Sequence, residues 1–149
     1  MGKKVFIIDV NKCSGCMACV IACKDEHVGN NWLPYAMSQP DTGHFWIKVS
    51  VVEQGKAPHV KVYNIPIMCM HCENAPCMKA AENGAVYQRP DGLVIIDPVK
   101  AKGQKQLVDA CPYGVIYWND ILQIPQKCTG CAHLIDQGGT PRCVDACPN

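Results

Sequence analysis

The sequence has little of what builds a large conventional core or a membrane anchor. Only 2 of its 149 residues are Phe, and aromatic residues make up 7% of the chain. The first apolar stretch, Val5 to Ile8, ends at Asp9, which is too early for a signal-peptide core or a transmembrane helix. We therefore predict no direct membrane insertion and a cytoplasmic location, with export alongside a signal-bearing partner left open.

The chain also lacks an excess of charge of one sign. Lys and Arg total 14, Asp and Glu total 13, and the formal net charge is +1. The basic residues are scattered rather than clustered, so nothing favours nucleic-acid binding. No Ser/His/Asp arrangement, phosphate-binding loop or dinucleotide fingerprint is present. We therefore predict that the chain has no catalytic residues and is not an enzyme by itself.

Cysteine, by contrast, is abundant, with 12 residues. Four of them open the chain at the spacing C-x2-C-x2-C-x3-C, which is that of bacterial two-cluster ferredoxins, where the fourth cysteine binds the other cluster. Clustered thiolates favour iron–sulfur clusters or zinc. The pattern predicts a metal-binding carrier of electrons whose candidate ligands are Cys13, Cys16, Cys19, Cys23, Cys69, Cys72, Cys77, Cys111, Cys128, Cys131, Cys143 and Cys147.

An internal repeat explains the isolated cysteine. Residues 7–23 align without a gap with residues 95–111, and 8 of these 17 positions are identical. In the second copy only Cys111 survives, while the other three cysteines are replaced. A second pair of similar segments begins at Cys69 and Cys128. In the copy that begins at Cys69, the last of the four cysteines is replaced by Ala81. The sequence thus derives from four modules of four cysteines, in which the lost ligands are Ala81, Ala101, Gln104 and Leu107.

The losses predict which cysteines share a cluster. If each cluster takes three cysteines from one module and the fourth from its partner module, the four replaced positions belong to one missing cluster. The remaining cysteines then form three complete sets for three [4Fe–4S] clusters. These sets are Cys13, Cys16, Cys19 with Cys147; Cys128, Cys131, Cys143 with Cys23; and Cys69, Cys72, Cys77 with Cys111.

The alternation of short elements predicts an α+β fold of tandem ferredoxin-like modules, related by a pseudo-two-fold repeat and carrying a β-containing insertion. Residues 1–28 plus 119–149 would form a half that holds two clusters, and residues 67–118 a half that holds one. Predicted strands are Val5–Asp9, Ala85–Gln88, Leu93–Asp97 and Val115–Trp118, and predicted helices are Met17–His27 and Gln104–Ala110. Residues 85–97 are expected to form a hairpin that turns at residues 89–92.

Residues 29–66 lie outside the repeat and form the predicted insertion. Phe45–Glu53 and His59–Ile65 are expected to pair as strands. The aromatic residues of this insertion, Trp32, Tyr35 and Trp46, either shield clusters from water or form a docking surface for a partner. After Cys147 no closing strand follows, so we expect either a truncated chain or a strand that is supplied from elsewhere.

Cysteines also form disulfides and bind zinc. A disulfide framework is disfavoured by the clustered C-x-x-C pairs and by the missing signal sequence. Zinc is the stronger competitor, since C-x-x-C pairs are common zinc ligands. His71 and His133 lie beside ligands, but we expect them to pack or to form hydrogen bonds. Lys12 and Lys127 each directly precede the first cysteine of a module. Each lysine either raises the reduction potential of a cluster or is an ordinary solvated side chain.

The sequence resembles the iron–sulfur electron-transfer subunits of the dimethyl sulfoxide reductase family of molybdenum enzymes, and among them the transhydroxylase small subunits, which hold three clusters. The resemblance covers nearly the whole chain and is carried by residues 69–77, 83–89, 111–115, 126–129 and 131–134. It implies a heterodimer with a large catalytic subunit that holds molybdenum or tungsten on bis-molybdopterin guanine dinucleotide and acts on hydroxylated aromatic or related substrates. A free polyferredoxin shuttle and a zinc-stapled structural module remain the alternatives.

Overall fold

A computed structural model describes residues 2–149. Eight of the eleven elements of the described residues have only three to five residues. The longest helix, α1, has 10 residues. The helices are α1 (Ala18–His27), α2 (Pro76–Ala80), α3 (Gln106–Asp109), α4 (Ala132–Ile135) and α5 (Arg142–Asp145). The strands are β1 (Lys48–Lys56), β2 (His59–Ile67), β3 (Val86–Gln88), β4 (Val94–Ile96), β5 (Tyr117–Asn119) and β6 (Ile124–Gln126).

Within the described residues, the strands form three separate antiparallel hairpins, β1–β2, β3–β4 and β5–β6. The predicted hairpin over residues 85–97 is confirmed, with Val86 opposite Ile96. Its turn closes where the N–H of Gly92 donates to the carbonyl of Arg89 at 2.9 Å. Helices and antiparallel hairpins together confirm the α+β class, whereas the pseudo-two-fold repeat stays a prediction.

The insertion contains the predicted strand pair, but β1 begins and ends three residues later than expected and β2 extends to Ile67. Val51 lies opposite Asn64, and the pairing continues to Lys56 and His59, so only two residues form the turn. Residues 51–62 are all exposed. At the base, the Asn64 side-chain amide donates to the Cys13 carbonyl at 3.3 Å. The hairpin is therefore an arm that is attached beside the first cysteine loop.

The prediction of a strand at Val5–Asp9 is wrong. Among residues 2–149, residues 5–8 make no backbone hydrogen bond, and the nearest such bond runs from the Lys4 N–H to the Asp91 carbonyl at 2.7 Å. A β-forming sequence does not become a strand when no neighbouring strand accepts its hydrogen bonds. Two other elements differ in their bounds: the helix predicted at 104–110 shortens to α3, and the strand predicted at 115–118 shifts to β5.

Candidate iron–sulfur sites

One cavity is lined by the cysteines of the middle of the chain. Cys69, Cys72, Cys77 and Cys111 all face it, and the buried Lys127 lies on the same wall. Cys77 stands at the beginning of α2 and Cys111 follows α3. Burial raises the pKa of the Cys77 thiol, whereas the nearby Lys127 opposes that rise. The fold thus brings Cys111 to three cysteines that lie more than thirty positions earlier in the chain.

A second group of cysteines surrounds a larger cavity of about 320 Å³. Cys13, Cys16, Cys19 and Cys147 line it, together with Cys143. The Cys16 and Cys147 side chains are exposed, so this site opens to the surface. Here Cys13, early in the sequence, and Cys147, late in the sequence, line one cavity.

The third group is buried in the interior. Cys23, Cys128, Cys131 and Cys143 are all buried. Cys23 lies on α1 and Cys143 on α5, and the packing of these two helices brings the two cysteines together.

Burial raises the pKa of the Cys23 thiol well above its ordinary value, and the other three thiols raise it further. Burial likewise raises the pKa values of Cys128 and Cys143 to about 12. These thiols therefore keep their protons until a metal ion replaces them.

The loops between paired cysteines share an unusual backbone conformation. The residue before the second cysteine has a positive φ in each of three loops: 70° at Gly15, 44° at His71 and 66° at Gly130. In two of these loops, the turn aims a backbone N–H at the preceding sulfur. Gly130 donates to Cys128 Sγ at 3.3 Å, and His71 donates to Cys69 Sγ at 3.4 Å. Such N–H donors stabilise the negative charge of an iron–sulfur cluster.

The positions of the lost cysteines lie together in a closed core. Ala101 and Leu107 are completely buried, and Ala81 packs against them. The Gln104 side chain accepts from the Glu82 N–H at 3.0 Å and donates to the carbonyls of Glu82 and Lys100. The region where a fourth cluster was predicted to be missing is therefore filled by apolar side chains and one hydrogen-bonded carboxamide.

Histidine and aromatic side chains shield the buried cysteine group. One of them, His27, was not predicted from the sequence. His27 is 1% exposed, and its Nε2 lies 3.8 Å from Cys131 Sγ. Burial lowers the pKa of His27 to about 4, so the neutral ring contacts that sulfur. Cys23 and His27 are four residues apart, which places both on one face of a helix. This spacing is the feature of the sequence from which His27 could have been predicted. Trp46 packs on His27 with ring centroids 4.5 Å apart.

The two histidines beside cysteines behave as expected. His71 Nδ1 accepts from the Val94 N–H at 3.0 Å. His133 Nε2 lies 2.9 Å from the Glu26 carboxylate, and its ring stacks on Trp32 with centroids 4.3 Å apart. Both side chains therefore pack and form hydrogen bonds. Trp46 is 2% exposed, which favours shielding over docking for that residue.

The donor chemistry fits iron–sulfur clusters. All twelve cysteines are free thiols, so the disulfide alternative is not what the fold adopts. Among residues 2–149, no three Cys, His, Asp or Glu side chains converge on a point that one metal ion would occupy. The thiols of Cys13, Cys16, Cys19 and Cys147 instead surround a cavity of about 320 Å³, and soft thiolates are the ligands that iron–sulfur clusters require. Over the same residues, no helix has the length and hydropathy to span a bilayer.

Comparison with known proteins supports this interpretation. A model of the 4Fe-4S dicluster domain matches residues 60–149, and a model of the 4Fe-4S binding domain matches residues 10–31. The chain is 49% identical to the pyrogallol hydroxytransferase small subunit of Pelobacter acidigallici, over 99% of this chain and 54% of the relative. It is 36% identical to a subunit of the sulfite dehydrogenase of Allochromatium vinosum, over 99% of this chain and 66% of the relative.

A third relative is matched over more of its own length. A subunit of the anaerobic dimethyl sulfoxide reductase of Escherichia coli is 32% identical, over 96% of this chain and 68% of the relative. The protein spans between about half and two thirds of the length of these three relatives. Because the matched segments contain all four cysteine modules, this protein belongs to the 4Fe-4S dicluster family, among the iron–sulfur subunits of molybdoenzymes of the dimethyl sulfoxide reductase type.

Proposed function

We propose that this protein relays single electrons through three [4Fe–4S] clusters to or from a large molybdenum–pterin catalytic subunit. The clusters would be held by Cys13, Cys16, Cys19 and Cys147; by Cys23, Cys128, Cys131 and Cys143; and by Cys69, Cys72, Cys77 and Cys111. The observation that carries the proposal is that Cys111, an isolated cysteine in the sequence, lines one cavity with the three cysteines of another module. When bound, the clusters supply one-electron redox chemistry, and the protein holds them, shields them and tunes their potentials.

The three sites adjoin one another in a fixed order. Cys19, of the first set, packs with Cys23 and Cys143 of the buried set. Cys69, of the third set, packs in the same cluster and lies close enough to Cys128 to raise the pKa of that thiol. The buried set therefore lies between the other two, as an electron relay requires. One end of this relay opens to the surface at Cys16 and Cys147.

We infer the partner from the relatives. The relative from Pelobacter acidigallici is a small subunit of pyrogallol hydroxytransferase, so the partner proposed here is a large subunit acting on polyhydroxylated aromatic or related compounds. That subunit would carry molybdenum or tungsten on bis-molybdopterin guanine dinucleotide. The complex is proposed to act in the cytoplasm.

Metal analysis of anaerobically purified protein tests the cofactor. Three clusters require about twelve irons and about twelve acid-labile sulfides per chain. About eight of each would show that one ligand set is wrong. Zinc without sulfide would overturn electron transfer in favour of the zinc-stapled module. Stable co-purification with a much larger molybdenum- or tungsten-containing chain would separate the subunit from a free polyferredoxin shuttle, which would purify as a monomer.

Paired cysteine variants test which residues share a cluster. If Cys23 and Cys128 bind the same cluster, C23S/C128S loses about four irons, no more than either single variant. C23S/C13S then loses about eight, because two clusters are affected. The opposite pattern would show that each cluster takes all four ligands from one module, as in the run Cys13, Cys16, Cys19 and Cys23.

A further inference from the structure

We propose that Lys127 sets the reduction potentials of two neighbouring clusters at once, namely those assigned to the Cys69 and Cys128 sets. This inference rests on the proposed function, since it concerns those clusters. It follows from the position of one buried cation and from the lack of any carboxylate beside it among residues 2–149. Lys127 thereby becomes a potential-setting residue and not a ligand.

The Lys127 side chain is enclosed by the protein. It is 3% exposed, and its Nζ donates to the carbonyls of Val94 at 2.5 Å and Cys128 at 3.1 Å. No carboxylate among residues 2–149 lies within ion-pair distance of it. A buried ammonium that contacts only neutral carbonyls is costly unless negative charge lies nearby. The carboxylates of the described residues provide no such charge, whereas a cluster bound by four thiolates would provide it.

The position of Lys127 places it beside both sites. It lies on the wall of the cavity that Cys69, Cys72, Cys77 and Cys111 line. It also precedes Cys128 directly in the chain and bonds to the carbonyl of that residue. Lys127 opposes the rise in the pKa of the Cys77 thiol and also that in the pKa of the Cys128 thiol. One cation thus acts on a thiol of each set.

Two other basic side chains, His71 and Lys12, do not supply a buried positive charge. His71 is a titratable neighbour, and its Nδ1 accepts the N–H of Val94, the residue whose carbonyl binds Lys127. Burial lowers the pKa of His71 to about 3, with Lys127 as the second cause, so the His71 ring is neutral at pH 7. Lys12 occupies the matching position before Cys13 but is exposed. Water screens its charge, which makes Lys12 the natural control.

The expected effect follows from electrostatics. Reduction adds one negative charge to a cluster, and a nearby cation in a medium of low dielectric constant stabilises the reduced form. Removing that cation favours the oxidised form of both adjacent clusters. The cluster assigned to Cys13, Cys16, Cys19 and Cys147 lies on the far side of the buried set, so its potential should change least.

The experiment is a potentiometric titration, monitored by electron paramagnetic resonance, of the protein and of K127Q, K127R and K12Q. The cluster signals are first assigned from C111S, C128S and C13S. At fixed potential, K127Q should raise the ratio of oxidised to reduced cluster at least tenfold at both adjacent clusters, which is about 59 mV for one electron. K127R and K12Q should stay within about threefold of the wild type at every cluster.

Each outcome decides the inference. A shift in K127Q that K127R abolishes supports it, as does loss of the two adjacent clusters in K127Q when K127R retains them. Equal potentials in K127Q and the wild type, or equal cluster loss in K127Q and K127R, would overturn it, because the charge would then be irrelevant. Failure of the proposed function itself would look different, since the wild type would then lack iron and sulfide.

Discussion

At the residue scale, the sites depend on a few side chains whose surroundings change their chemistry. Buried thiols with raised pKa values, a neutral His27 against Cys131, and an enclosed Lys127 are all products of burial. Burial disfavours the charged form of an acid or a base unless an opposite charge lies nearby. The buried Gln104 and the half-buried His44 follow the same physics and give two tests of it.

Replacing Gln104 should destabilise the protein. The Gln104 carboxamide satisfies the Glu82 N–H and two backbone carbonyls while being 7% exposed. Gln104→Leu leaves these groups without partners, so we expect a loss of about 1–3 kcal/mol in the free energy of unfolding. Urea denaturation under anaerobic conditions measures it. The control is Gln88→Leu, since Gln88 is exposed and water can replace its bond to Gly92.

His44 should make stability depend on pH. Burial lowers the pKa of His44, and the nearby Lys24 lowers it further. Because the unfolded chain then binds more protons than the folded chain below about pH 6.5, stability is present above that pH and falls as the pH drops. His44→Gln should therefore lower the dependence of the melting temperature on pH between about pH 7 and pH 5, where the unfolded chain takes up the extra proton. His59→Gln, on the exposed hairpin, is the matched control, and an unchanged slope in His44→Gln would contradict the assignment.

At the element scale, the cysteine loops determine how helices and hairpins are arranged. Each loop turns through a left-handed residue, and each turn fixes where the next helix begins. At Gly130 the loop also packs tightly, since an added Cβ would lie 2.8 Å from Leu93 Cδ2 and 3.1 Å from Leu93 Cδ1. The positive φ therefore favours glycine at this position, and any larger residue would crowd the Leu93 side chain.

A substitution at Gly130 should damage one cluster site selectively. Gly130→Ala adds a methyl group against the buried Leu93 side chain, so either that side chain or the loop that contains Cys128 and Cys131 must shift. We expect about four of about twelve irons to be lost. Gly29→Ala controls for conformation alone, because Gly29 has a φ of 70° but no atom within 4 Å of the added Cβ. Equal iron contents in the two variants would show that the contact with Leu93 does not matter.

At the scale of the whole molecule, the fold divides into a cysteine-containing body and the β1–β2 arm. The arm's outer residues 51–62 are exposed, and its base touches the first cysteine loop through Asn64. Chain segments far apart in sequence meet in the body, so the clusters are expected to act as cross-links between them. The outer residues of the arm therefore contribute little to that body, whereas its base lies against the cavity of the Cys13 set.

Shortening the arm should leave the clusters intact. Replacing residues 52–63 by Asn-Gly keeps the opposed pair Val51 and Asn64 and closes the hairpin with a favoured two-residue turn. We expect an iron content of about twelve, as proposed for the full-length protein. Asn64→Ala in the full-length arm is the companion variant, since it removes the bond to Cys13. A loss of iron on shortening would show that the arm supports the sites beyond its base.

Much of this protein could be predicted from the sequence alone. Cysteine spacing predicted an iron–sulfur protein, the alternation of short elements predicted the α+β class and a helix at Met17–His27, and the resemblance carried by residues such as 69–77 pointed to the family. They did so because ligand chemistry and helical or strand periodicity are local properties. The bounds of short elements were less predictable: α3 has only 4 residues and β5 only 3.

The tertiary structure decided what depends on neighbours distant in the sequence. It left residues 5–8 without strand partners, brought His27 to Cys131, and filled the region of the lost cysteines with a hydrogen-bonded Gln104. It also enclosed Lys127 while leaving Lys12 exposed, although both precede a first cysteine. The physical reason is that hydrogen-bond partners, solvent screening and burial are set by the residues that fold around a side chain. The sequence of a motif determines which donor atoms are present, and the fold determines how buried those atoms are and which groups surround them.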